Sequence, residues 1–128
     1  MRLLLDTHSF LWFVTDDPQL SKRARSLIAD LTNEVLLSPA SYWEIAIKVS
    51  IGKYPLTAPF EAFFKRGIED GQMTILPIHV CHAAVLSSLP MHHKDPFDRM
   101  IISQAIFEQV PIVGNDQVFN LYPVNCLW

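Results

Sequence analysis

The chain has 128 residues, of which 50% are apolar and 18% charged, which suits one compact domain and excludes disordered and fibrous classes. Ten Lys and Arg against thirteen Asp and Glu give a formal charge of -3, so no basic surplus marks a nucleic-acid binder and any such contact must come from a local patch. No run approaches the ~18 uncharged apolar residues of a membrane span, and Asp6 breaks the opening leucine run too early for a signal-peptide core, so the expectation is a cytoplasmic protein with no membrane association.

Taken in chain order, the first element is a strand, Arg2-Leu3-Leu4-Leu5, an unalternated apolar run of the kind that suits a buried parallel strand. Asp6 halts it, and helix-period stretches follow over residues 9–14 and 21–31. Val35-Leu36-Leu37 is the second strand, stopped by Ser38-Pro39, which sets a capping residue before a proline at the first position of a helix over 39–51. Residues 52–59 join that helix to another over 59–68 as a hairpin. Thr74-Ile75-Leu76 is the third strand, followed by a helix over 80–89 and a loop over 89–94. Asp95-Pro96 opens a last helix over 96–108, Pro111-Ile112-Val113 is the fourth strand, and Asn125-Cys126-Leu127 a weak fifth. Strands alternating with helices give an α/β fold with a parallel sheet of four or five strands, in a single domain over 1–128. Cys81 and Cys126 have no CxxC partner, so both are expected to be reduced, buried small residues.

In such a sheet the strands finish and the helices begin at one edge, where ligands bind near a switch in strand order. Asp6 directly follows the first strand, and Asp116 follows the fourth after Gly114-Asn115. Glu44, about one turn into the helix after the second strand, and Asp98, in the first turn of the last helix, belong to the same edge, with Asp95 at its rim. Carboxylates within ~4–6 Å of one another repel and raise each other's pKa, so a cluster calls for a compensating cation. Mg²⁺ or Mn²⁺ suits an all-oxygen site, and a phosphodiester is then the natural substrate, hydrolysed in line without a Ser, Cys or His nucleophile. Each acid also has a structural role open to it. Asp6 and Asp95 suit N-caps, Asp98 at the third helical position suits the helix dipole, Asp116 can close an Asx turn, and Glu44 can pair with Lys48. Taken singly those roles are the commoner outcome; the convergence of four acids is the informative part.

These segments together resemble a PIN-domain ribonuclease, and most of all the VapC-type toxins of bacterial toxin–antitoxin pairs. The resemblance is carried by Leu3-Leu4-Leu5-Asp6-Thr7-His8, by residues 38–48 with Trp43-Glu44-Ile45, by His93-Lys94-Asp95-Pro96-Phe97-Asp98-Arg99, and by Ile112-Val113-Gly114-Asn115-Asp116, in matching order and spacing over nearly the whole chain. It implies a PIN-like three-layer α/β/α architecture and an acidic metal site of Asp6, Glu44, Asp98 and Asp116 that is also the catalytic set. It further implies auxiliary roles for Asp95 and for Thr7, whose hydroxyl would orient a ligand, together with a homodimer and a cognate antitoxin. One departure matters: the family often carries Ser or Thr two residues before the last acid, where this chain has Gly114.

Lys48, Lys94 and Arg99 are the candidates for phosphate contact, although an ion pair of Arg99 with a neighbouring acid is an equal reading. Trp12, Phe13, Tyr42 and Trp43 read as core more readily than as base-stacking surfaces. His79-Val80-Cys81-His82 looks metal-like but lacks a fourth ligand, and His92-His93 reads as a solvated loop. Two function classes follow. One is a divalent-metal-dependent endoribonuclease that acts on RNA as a toxin; the other is a catalytically silent module of the same fold that binds a protein or RNA partner, with Gly114 as its only sign. A phosphatase on a related scaffold ranks last, because His8 stands where such enzymes commonly need a second aspartate.

Overall fold

Leu3, Leu4 and Leu5 are wholly buried because their strand, β1 (Arg2–Leu5), lies in the middle of the sheet. The computed structural model describes residues 1–128. After β1 come α1 (Thr7–Val14), α2 (Lys22–Ala29), β2 (Glu34–Leu37), α3 (Pro39–Ser50), α4 (Phe60–Asp70), β3 (Thr74–Ile75), α5 (Val80–Ser87), α6 (Pro96–Glu108), β4 (Ile112–Val113), a 3₁₀ turn (Gln117–Leu121) and β5 (Cys126–Leu127). The five strands form one sheet in the order β3-β2-β1-β4-β5, with every pair parallel and Leu4 opposite both Leu36 and Ile112.

Side chains alternate across a strand, so the leucines of β1 feed two separate cores. Leu3 and Leu5 join Val35, Leu37 and Val113 under Phe10, Ile28 and Phe64 of α1, α2 and α4. Leu4 joins Leu36 and Ile112 under Ile101, Ile102 and Ala105 of α6. Helices therefore cover both faces, as the expected three-layer α/β/α arrangement requires.

The departures from the sequence expectation lie at element ends. Helix α1 starts at Thr7 rather than residue 9, because the Asp6 carboxylate accepts from the Ser9 N–H and caps it. Helix α2 stops at Ala29, and α4 runs on to Asp70. The weak fifth strand pairs with β4, Ile112 lying opposite Cys126. Both cysteines are free but only partly buried, and no helix is long and apolar enough to cross a membrane.

Helix α4 approaches α1 at Gly67, where a Cβ would fall 2.8 Å from Val14 Cγ1 and 3.1 Å from the Phe10 ring. Phe10 is itself stacked on Phe64 with centroids 5.0 Å apart, so the ring has nowhere to retreat. Gly67→Ala is expected to destabilise the fold by about 1–3 kcal/mol through overpacking, reduced by up to about 1 kcal/mol of helix propensity. Denaturant unfolding measures the net loss; a gain in stability would mean that the two helices part at no cost.

Candidate active site

From β1 the chain builds β2 and β3 to one side, then crosses back through α6 to place β4 on the other flank of β1. The strand order therefore switches between β1 and β4, where an open α/β sheet leaves a crevice at its carboxyl edge. Asp6 stands there. Its N–H donates to Val113 O at 3.1 Å, its Oδ1 accepts from the Ser9 N–H at 2.7 Å, and Ser9 Oγ donates to the same Val113 carbonyl at 2.8 Å. The carboxylate is thus fixed to both strands of the switch. Across from it lies Gly114, at which a Cβ would fall 2.6 Å from Asp6 Oδ2. The missing hydroxyl noted in the sequence corresponds to space that the Asp6 carboxylate itself occupies.

The other acids enter from helix starts around this point. Asp95 caps α6, its Oδ1 accepting from the N–H groups of Phe97 and Asp98 at 2.9 Å each, and so presents Asp98 in the first turn. Asp116 caps the 3₁₀ turn through the Val118 N–H at 3.1 Å and is exposed. Glu44 is 7% exposed. Its Oε2 meets Lys48 Nζ at 3.0 Å, while Oε1 is buried with no hydrogen-bond partner. The Glu44–Lys48 pair therefore exists, but burial of the carboxylate separates it from an ordinary surface pair. Thr7 Oγ1 is hydrogen-bonded to Ser41 Oγ at 3.1 Å, tying the start of α1 to α3 one turn before Glu44, so its hydroxyl is engaged by protein.

The acids act on one another electrostatically. The Asp98 carboxyl is pushed up from 3.8 to about 7, first by burial and then by Asp95, Glu44, Asp116 and Asp6 in that order. Asp6 is also raised, chiefly by burial, with the contacts to Ser9 pulling the other way and Asp116 adding repulsion.

Two expectations are corrected. Arg99 turns away from the acids: it is 7% exposed, and its guanidinium donates to Pro90 O at 2.8 Å, Leu89 O at 3.2 Å and the Tyr122 hydroxyl at 3.2 Å. Its guanidinium is taken up by anchoring the loop before α6, and it forms no ion pair with Asp98. His93, expected in a solvated loop, is instead largely buried, with Nε2 3.5 Å from Asp98 Oδ2. His82, in the metal-like tetrapeptide, accepts the His79 N–H at 3.0 Å and meets Glu108 at 3.0 Å, a helix-capping role. Neither of two surface cavities is lined by any of the four acids, and the exposed Trp43 ring lies edge-on to Phe97 at 5.2 Å.

The donor set is all oxygen, and Glu44 Oε1 is an orphaned buried acceptor. No three His, Cys, Asp or Glu side chains converge closely enough to hold an ion by themselves, so a cation here would meet one or two carboxylates directly and the others through water. The residues fit a hard divalent cation.

Comparison with known proteins agrees with this architecture. The chain is similar in fold to VapBC2 from Rickettsia felis, solved bound to a DNA fragment from its promoter, at 16% identity and a TM-score of 0.75, covering 99% of this chain and 98% of that one. It is likewise similar to FitAcB from Neisseria gonorrhoeae (19% identity, TM-score 0.67, 98% and 96% covered) and to VapBC-1 from nontypeable Haemophilus influenzae (14%, 0.62, 99% and 97%). Among curated proteins no significant match is found. The PIN domain profile matches residues 3–124, and with nearly the whole length so covered the chain belongs to the PIN domain family.

Proposed function

We propose that this protein is a divalent-metal-dependent endoribonuclease, the toxin of a toxin–antitoxin pair, acting in the cytoplasm on RNA as a homodimer. The observation that carries the reading is the Asp98 carboxyl, raised to about 7 by burial and by four neighbouring acids, an arrangement that destabilises the protein unless a cation occupies it. Membership of the PIN domain family supports nuclease chemistry. The two-component names of the neighbours, VapBC2 and FitAcB, support a partner protein.

In this reading Asp6, Glu44, Asp98 and Asp116 surround Mg²⁺ or Mn²⁺, one or two of them as direct ligands and the others through water, and Asp95 orients Asp98 through the helix cap. The cation, when bound, supplies charge neutralisation at the phosphodiester and activation of water. The chain supplies the rest. Ser9 and the Val113 carbonyl hold Asp6 still, Asp98 must release its proton before it can serve as a ligand, and Lys48, beside Glu44 and partly exposed, is placed to meet a phosphate. The silent-module alternative rests on Gly114, and a side chain there would collide with Asp6, so glycine is what an intact Asp6 needs.

The test is cleavage of a mixed single-stranded RNA panel with Mg²⁺, Mn²⁺ or EDTA, alongside Asp6→Asn, which keeps the helix cap because Asn caps as well as Asp. Cleavage is expected only with metal and below detection in the variant; equal activity in the two proteins would overturn the assignment.

A further inference from the structure

Tyr122 is buried at 4% exposure with its hydroxyl between two groups: Arg99 Nη1 at 3.2 Å and His93 Nδ1 at 2.7 Å. A guanidinium only donates, so the Tyr122 oxygen accepts from Arg99. The single hydroxyl proton then has one acceptor within reach, His93 Nδ1. The opposite polarity, with Nδ1–H donating to the tyrosine, would strand a buried hydroxyl proton, an arrangement that folded proteins avoid. With Nδ1 an acceptor, the neutral imidazole carries its proton on Nε2. That nitrogen is buried and has no hydrogen-bond partner in this structure. What it faces, at 3.5 Å, is Asp98 Oδ2.

We propose that His93, locked as its Nε2–H tautomer by Arg99 and Tyr122, is a positioning residue that donates to Asp98 Oδ2 and keeps that carboxylate turned toward Glu44, Asp6 and Asp116. The inference rests on the reading of those acids as a metal site. Asp95 fixes the backbone of Asp98 through the helix cap, but a cap leaves the side-chain torsions of Asp98 free; His93 supplies the missing restraint from the side chain's far end. The direction of the chain is set by its first member, because Arg99 is held by the carbonyls of Leu89 and Pro90 and cannot reverse its role. Outer partners of ligating carboxylates typically alter metal affinity by about 10–100-fold when removed.

Two measurements at pH 8, on the full chain, decide the matter. In the first, imidazole ¹⁵N NMR assigns the tautomer of the signal that disappears in His93→Gln; Nε2–H is expected in the wild type, with a mixture of tautomers in Tyr122→Phe. In the second, calorimetry with Mn²⁺ alone compares the wild type with His93→Leu, His93→Gln and Asp6→Asn. His93→Leu is expected to bind about 10–100-fold more weakly, and His93→Gln, whose amide can donate from the same place, to recover most of that loss. An Nδ1–H tautomer in the wild type overturns the proposal whatever the metal does, as does wild-type Mn²⁺ affinity in His93→Leu. Binding that is indifferent to Asp6→Asn would instead overturn the metal-site reading itself. Should Tyr122→Phe fail to fold, the wild-type tautomer and the two His93 variants still distinguish these outcomes.

Discussion

Asp98→Asn is expected to abolish cleavage and, in metal-free buffer at pH 8, to raise the melting temperature of the protein. The two effects have one cause. Burial and the surrounding acids push the Asp98 carboxyl from 3.8 to about 7, so between those values the folded state holds a proton that the unfolded chain has released. Stability therefore falls as pH rises from about 4 to about 7 and levels off above. At about 1.4 kcal/mol per pH unit the penalty at pH 8 has an upper bound of about 4 kcal/mol. Asparagine, the neutral isostere, escapes it, less about 0.3–1 kcal/mol for the charge an ionised Asp98 offers the helix N-terminus. At pH 4 the wild-type acid is already protonated, and the two proteins should melt together. Saturating Mg²⁺ should reverse the order at pH 8, since only the wild type gains from the cation. Equal or lower melting of the variant at both pH values would mean that Asp98 serves the helix and no site.

Gly114→Ala, or Gly114→Ser, is expected to lower cleavage by about a hundredfold while the protein still folds, because a displacement of roughly 1 Å at a positioned group costs about that much. The added Cβ would lie 2.6 Å from Asp6 Oδ2 and 2.9 Å from its Cγ. The backbone cannot give way easily, since the Gly114 N–H donates to Leu127 O at 3.2 Å and the Asp6 N–H to Val113 O at 3.1 Å. The carboxylate must therefore leave the Ser9 N–H. Mn²⁺ calorimetry read beside the cleavage rate separates this from general instability: affinity and rate should fall together at unchanged far-UV circular dichroism. Wild-type activity in Gly114→Ser would show that Asp6 has another place to go.

The sheet and the edge that carries the acids are legible in the sequence because both follow from local pattern. Apolar runs halted by Asp6, Ser38 and Gly114 mark strand ends, and a strand end followed by a capping residue puts an acid at the carboxyl edge whatever the tertiary detail. The capping roles do not preclude the proposed site roles: Asp6, Asp95 and Asp116 each cap through one carboxylate oxygen alone. Arg99 departs from its expected place for a geometric reason. Neighbours on a helix point about 100° apart, so adjacency to Asp98 in sequence says nothing of adjacency in space, and Arg99 faces the loop instead. The pairing of His93 with Tyr122 leaves no local mark because they meet across 29 residues, a contact set by how the loop before α6 folds over the 3₁₀ turn. Gly114 reads as a loss because the residue absent from a pattern is visible in a sequence, whereas the atom it makes room for is not.

The sheet ends at both sides in strands of only two residues, Thr74–Ile75 and Cys126–Leu127. A long open margin would present a ladder of unpaired N–H and C=O groups on which another chain could template, the usual route to edge-to-edge aggregation and to recognition by strand addition. Here that ladder is nearly absent. Strand addition therefore has little backbone to use here, and a nascent chain of the same sequence finds little margin on a folded copy to which it could add.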